Sequence, residues 1–242
     1  MGAFRLWFGR APLRKKMPTT KKYGALSVET VDLWANEGPL KRDVLVIPGG
    51  GFGNGDGGAA SKAGDMAKKL SKNGFRAWSM SYPGVPIRYW PAIMDSIRAC
   101  RAFIDTQVTS PGVVSYGFSA GGNLGQWLAN EGRVLKHVNV SGPADLVMMQ
   151  NNPKVLAYCP TGDYGSPSPA LHVLPTCAPT MLWYGKADTD VPPQQGIAME
   201  AALAAAGVPV IRREYNGGHV FEGTSDAEMK LIRPEQFAWL AA

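Results

Sequence analysis

Ser119 is the residue whose surroundings most clearly suggest chemistry. It stands at the centre of Gly117-Phe118-Ser119-Ala120-Gly121, a G-x-S-x-G. An apolar stretch from Val113 to Phe118 runs into the motif, and a helical pattern from Ala120 to Asn130 leaves it. A serine on a sharp strand-to-helix turn is held exposed and strained, facing the positive end of the helix dipole, with glycines on both sides removing side chains that would collide. That placement suits a nucleophile. An ordinary turn built from small residues would look similar, and the strand-then-helix context favours the functional reading.

A serine nucleophile needs a base. The chain has three histidines. His137 opens a core-like strand and His172 lies in a proline-flanked stretch, whereas His219 follows Gly217-Gly218 in a loop just past a strand ending at Tyr215. A loop beyond the C-terminal end of a strand is where an imidazole can reach a serine on the same sheet edge. The orienting carboxylate is expected from Gly185 to Pro192, where both Asp188 and Asp190 are available and periodicity does not choose between them. The tract Pro48-Gly49-Gly50-Gly51-Phe52 leaves the first long strand at the same edge. Its glycines allow backbone N–H groups to turn toward a developing oxyanion.

The same tract continues into Gly53-Asn54-Gly55-Asp56-Gly57-Gly58, a formal G-x-G-x-x-G. A dinucleotide site built on it would want an acid at the end of the next strand, which instead reads Ser79-Met80-Ser81-Tyr82-Pro83. That reading also leaves the serine, aspartate and histidine without a role. No Walker loop or H-E-x-x-H is present. No cofactor or metal is expected.

These residues must be positioned by alternating strands and helices. From Val44 onward the pattern predicts strands at 44–47, 75–82, 113–118, 138–140, 180–184 and 208–215, with helices at 59–70, 92–104, 120–130, 194–206 and 225–240. Residues 23–36 are also strand-like, a hairpin or edge. Such alternation builds a mostly parallel central sheet with helices on both faces. Residues 143–178, rich in Pro, Asn, Asp and Ser, break the rhythm and read as a small lid excursion over one end of the sheet.

The 242 residues, 45% hydrophobic, suffice for one core, and a single domain is expected over 23–242. The net charge of +6 sits in an arm: seven Lys and Arg precede Glu29, the first acid, leaving 18 bases against 19 acids. No nucleic-acid surface is therefore expected. Residues 1–22 read as a basic, mobile N-terminal extension, with a membrane-surface or acidic-partner contact through Phe4, Leu6, Trp7 and Phe8 as the alternative. Arg5 and Arg10 interrupt any secretory apolar stretch, no transmembrane run is present, and three cysteines without C-x-x-C spacing suggest neither disulfides nor zinc. A cytoplasmic setting without integral membrane contact is the expectation; the sequence sets no oligomeric state.

In ordered blocks over residues 24–242, the chain resembles the α/β-hydrolase superfamily. Within it, the chain resembles the small esterase and lipase branch, near the hormone-sensitive-lipase and acetyl-esterase (BD-FAE-like) groups. The glycine loop at 48–52 resembles H-G-G-G-[WF], with Pro48 standing where histidine is usual. Residues 89–95 resemble the family's helix start, and Gly117 to Gly122 resembles G-x-S-A-G-G. Residues 141–146 resemble the strand end leading into the lid, Gly185 to Pro192 resembles G-x-x-D-x-x-V-P, and Gly217 to Phe221 resembles G-x-H-x-F. The resemblance implies Ser119 as nucleophile, His219 as general base, Asp188 rather than Asp190 as the orienting acid, and Gly50, Gly51 and Ala120 as oxyanion-hole donors. It implies hydrolysis of small-molecule carboxylic esters through an acyl-enzyme. A chain with room for only a modest lid favours acetyl to butyryl groups. A small serine peptidase or acyl-amide hydrolase is the alternative, and a non-catalytic hydrolase-fold binding protein a more distant one.

Overall fold

The computed structural model describes residues 17–108 and 112–242. In chain order the elements are β1 (Thr19–Lys22), β2 (Thr30–Trp34), β3 (Asp43–Ile47), α1 (Lys62–Lys72), β4 (Arg76–Met80), α2 (Ile93–Asp105), β5 (Val113–Phe118), α3 (Ala120–Asn130), β6 (His137–Val140), α4 (Pro153–Tyr158), β7 (Thr180–Gly185), α5 (Gln194–Ala205), β8 (Val210–Tyr215) and α6 (Asp226–Ala241). The eight strands form one sheet in the order β1-β2-β4-β3-β5-β6-β7-β8. β1, β2 and β4 pair antiparallel; from β4 through β3 to β8 every pairing is parallel. This is the α/β-hydrolase fold.

The strands from β3 to β7 are buried along nearly their whole length because both of their faces are covered. Leu45 and Ile47 point to one side, where they pack with Ile97, Leu124, Leu128 and Met199 of α2, α3 and α5. Val44 and Val46 point to the other, with Met66 and Leu70 of α1 and Ile232 and Leu240 of α6. The parallel strands therefore all end at one edge, and the loops leaving β3, β5, β7 and β8 meet there.

Local chemistry sets several boundaries. The helix expected from residue 59 begins at Lys62, because the Ser61 hydroxyl caps it by accepting from Gly64 N–H at 3.0 Å. The strand expected from 208 begins at Val210, after Pro209, whose carbonyl accepts from Thr180 N–H. The boundary of the expected N-terminal extension moves. Thr19–Lys22, placed in the extension by their charge, form edge strand β1, and Thr20 donates to Asp32 of β2 at 2.6 Å. Phe4, Leu6, Trp7 and Phe8 lie outside the described residues.

The excursion at 143–178 is not devoid of structure. It carries α4 and two 3-10 turns, Val147–Met149 and Pro169–His172. Asn152 caps α4 by accepting from Lys154 N–H at 2.9 Å, with Pro153 at the first helical position. Cys100, Cys159 and Cys177 are free and buried. No helix among the described residues is long and apolar enough to cross a membrane.

Candidate active site

The turn between β5 and α3 forces Ser119 into φ 51°, ψ −124°, a left-handed conformation that a non-glycine residue rarely adopts. The flanking glycines are required by space. A Cβ on Gly117 would lie 2.2 Å from the Gly121 carbonyl oxygen, and one on Gly121 would lie 2.2 Å from that of Ile47. Ser119 N–H donates to Val140 O at 2.9 Å, which ties the elbow to β6.

His219 arrives on the loop after β8, and its Nε2 lies 2.9 Å from Ser119 Oγ. Its Nδ1 lies 2.8 Å from Asp188 Oδ2. Asp188 sits just past the end of β7, with a fully buried side chain whose other oxygen accepts from Asp190 N–H at 3.0 Å and Val191 N–H at 2.8 Å. Burial pushes its carboxyl up, but the His219 hydrogen bond and the Val191 N–H outweigh that and hold it below the usual carboxylate range. An ionised acid there accepts from His219 Nδ1–H, which leaves Nε2 as an acceptor facing the serine hydroxyl. Asp190 does not face the imidazole; its carboxylate lies 3.3 Å from Lys154 Nζ. The expected trio Ser119, Asp188 and His219 thus comes together, and the alternative carboxylate points elsewhere.

The His219 loop is itself strained and braced. Val220 and Phe221 both have positive φ, 51° and 65°. Tyr215 OH accepts from Phe221 N–H at 3.1 Å, donates to Gly218 O at 3.1 Å and meets Ser141 Oγ at 3.0 Å. Ser141, at the end of β6, also has positive φ, 50°. Nothing in the amino-acid pattern singles out this Tyr215–Ser141 brace, because its two partners are 74 residues apart and meet only through the sheet order.

The glycine loop lies beside Ser119. A Cβ on Gly49 would be 3.0 Å from that of Ser119, and Gly50 and Gly51 take φ of 133° and 61°. Among the described residues, neither Gly50 nor Gly51 spends its N–H on a backbone hydrogen bond. Pro48 brings no side-chain donor, yet the loop is anchored. Tyr82 OH donates to Pro48 O at 2.9 Å, Gly53 N–H to Gly50 O, and Phe52 stacks on Tyr158 with ring centroids 3.8 Å apart. Two glycines of the 53–58 tract pack against the sheet end: a Cβ on Gly55 would meet the Tyr82 ring at 2.1 Å, and one on Gly57 the Met80 carbonyl at 2.2 Å.

Two cavities meet at Ser119. One, of about 20 Å³, is bounded by apolar Phe52, Ala120, Pro143, Met149, Val155 and Val191. The other, of about 430 Å³, is open, and Asn54, Asp56, Ser61 and Lys62 lie on its walls. A larger groove of about 740 Å³ between α1 and α6 does not include Ser119 or His219. Trp90, Trp183 and Tyr184 line neither cavity at Ser119. The contribution of the excursion, through Met149, Asn152, Lys154 and Val155, was missed from sequence. The Asn152-Pro153 pair, an N-cap followed by proline, was the signal that marked a helix there.

A family model, BD-FAE, matches residues 33–203, which includes the glycine loop, the elbow and Asp188. The chain belongs to the BD-FAE family. Solved structures agree on the BD-FAE chain's fold. A truncated carbohydrate esterase from gut microbiota superimposes with TM-score 0.76 at 18% identity, covering 95% of this chain and 100% of that one. A hormone-sensitive lipase from a metagenome library gives TM-score 0.78 at 20% identity, over 93% and 83% of the two chains. Esterase B from Lactobacillus rhamnosis gives 0.73 at 17%, over 94% and 90%. A comparison with curated protein sequences found no match.

Proposed function

We propose that this BD-FAE protein is a serine hydrolase of carboxylic esters that works through an acyl-enzyme. The observation that carries the reading is the continuous hydrogen-bonded relay Asp188–His219–Ser119, at 2.8 and 2.9 Å, assembled on a strained elbow. Family membership and the esterase and lipase neighbours support the substrate class.

In the reaction, Ser119 Oγ attacks the ester carbonyl carbon while His219 Nε2 takes the hydroxyl proton. Asp188 stabilises the imidazolium through Nδ1–H. The carbonyl oxygen gains negative charge and accepts from the N–H groups of Gly50, Gly51 and Ala120. The tetrahedral intermediate collapses, its alkoxide leaves with the proton from His219, and the acyl group stays on Ser119. Water then attacks the acyl carbon, gives a proton to His219, and the acid departs as Ser119 Oγ recovers that proton.

The small apolar cavity receives the acyl group and the larger, open one the alcohol. A space of about 20 Å³ holds little more than one water-sized group, which fits a methyl and favours acetyl over longer chains. Hydrolysis of p-nitrophenyl esters from acetate to decanoate, by the wild type and Ser119→Ala, tests this. Serine-dependent turnover that falls steeply beyond butyrate is expected. Turnover that survives Ser119→Ala would contradict the mechanism, and a preference for decanoate would contradict the acyl assignment.

A further inference from the structure

Five residues border both cavities at Ser119, and one of them is a long side chain from the excursion. Lys154 and Asp190 border both the 20 Å³ and the 430 Å³ spaces, together with Gly51, Ser119 and His219. The Lys154 backbone is fixed at the start of α4 by the Asn152 cap. Its stem crosses the glycine loop so closely that a Cβ on Gly51 would lie 2.8 Å from Lys154 Cδ. Its ammonium reaches Asp190 Oδ2 at 3.3 Å, so the excursion is latched to the loop that carries Asp188. Both members of the pair are about half exposed, 56% and 52%, and such a pair adds little to stability. A lysine stem, though, presents methylenes to an apolar space while its charge stays wet.

The other walls of the small cavity are rigid by comparison. Phe52 is stacked flat on buried Tyr158, and Ala120, Val155 and Val191 are buried on α3, on α4 and after β7. Of the five residues that border both cavities, Lys154 alone has a long aliphatic stem.

The geometry points to Lys154 as the residue that sets acyl-chain length: its aliphatic stem, held across Ser119 by Asp190, closes the acyl cavity against groups longer than a few carbons. The inference rests on the ester-hydrolase reading. Truncating the stem joins the two cavities and gives a longer chain an apolar floor with room above it. The charge has a different task, which is to hold the stem in place.

The test is the ratio of kcat/KM for p-nitrophenyl hexanoate to that for acetate, measured in the wild type, Lys154→Ala, Lys154→Met and Asp190→Asn. In hydrophobic pockets a single methylene is worth about 10- to 200-fold. The ratio is therefore expected to rise by about tenfold or more in Lys154→Ala. It is expected to stay within a few-fold of wild type in Lys154→Met, which keeps a stem of similar length, and to rise by an intermediate amount in Asp190→Asn, which loosens the latch. An unchanged ratio in Lys154→Ala, with serine-dependent turnover intact, overturns this inference and leaves the esterase reading standing. Equal rises in Lys154→Ala and Lys154→Met would assign the effect to the charge and overturn the wall. Absence of Ser119-dependent turnover on every ester in the wild type would overturn the esterase reading, and this inference with it.

Discussion

In the proposed mechanism Ser119 Oγ takes its reactivity from groups drawn from three loops, so single-atom changes should separate their roles. Asp188→Asn keeps the shape but can no longer fix the imidazole with Nε2 as acceptor, and kcat for p-nitrophenyl acetate should fall by about 10³- to 10⁴-fold. Asp190→Asn breaks only an exposed ion pair with Lys154, and the same measurement should change by less than about tenfold. A larger loss at Asp190 than at Asp188 would reverse the assignment. The sequence alone left these two acids level, and only the spacing of the resemblance favoured Asp188. The distance of 2.8 Å to His219 Nδ1 and the two N–H donors on its other oxygen place it in the relay. Rival nucleophiles are poorly equipped: burial pushes the Cys159 thiol up to about 11.

The elements that carry these residues were legible where their pattern is long and periodic. The β5 and α3 bounds follow directly from the apolar run and the helical spacing around the elbow. The short α4 helix was not legible, because six residues hold too few turns for a periodic signal, and its cap and proline were the only marks. Nor was the brace under His219, which depends on β6, β7 and β8 lying side by side. Its importance is testable. Tyr215→Phe leaves Phe221 N–H and Ser141 Oγ short of a partner in a loop that already holds two positive-φ residues. A loss of about 1–3 kcal/mol in urea unfolding is expected, together with a drop in kcat larger than any rise in KM. Wild-type kcat in Tyr215→Phe would show that the loop holds His219 without the hydroxyl.

At the scale of the molecule, a part-buried ion pair lies at the edge of the sheet opposite the site. At the edge where the parallel strands begin, buried Asp43 accepts from Arg76 Nε at 2.5 Å, Arg76 Nη2 at 2.8 Å and Trp78 Nε1 at 2.9 Å. Asp43→Ala strands a half-buried guanidinium and should cost about 3–5 kcal/mol in unfolding free energy, while kcat of the folded fraction is retained. His137 is buried beneath α3, with Nδ1 2.8 Å from Ser115 Oγ and Nε2 3.2 Å from Gly122 O. A carbonyl can only accept, so Nε2 carries a proton. Burial lowers its pKa to about 4. The unfolded chain takes up this proton near pH 6.5 and the folded one near 4, so stability is present above 6.5 and is lost as pH falls toward 4. The loss from this group is roughly 3 kcal/mol, and urea melts between pH 7.5 and 4.5 should show a shallower decline in His137→Gln.

In the proposed reaction Ser119 forms the covalent intermediate with His219 as its base. A p-nitrophenyl phosphonate ester, which phosphonylates an activated serine and is released very slowly, tests it directly when intact-mass and peptide-mass measurements follow the labelling. One phosphonyl group per chain on the peptide containing Ser119 is expected, with release of p-nitrophenol in step. No labelling is expected in Ser119→Ala, and far slower labelling in His219→Ala. Labelling that persists in Ser119→Ala, or that proceeds at the wild-type rate without His219, would contradict the account.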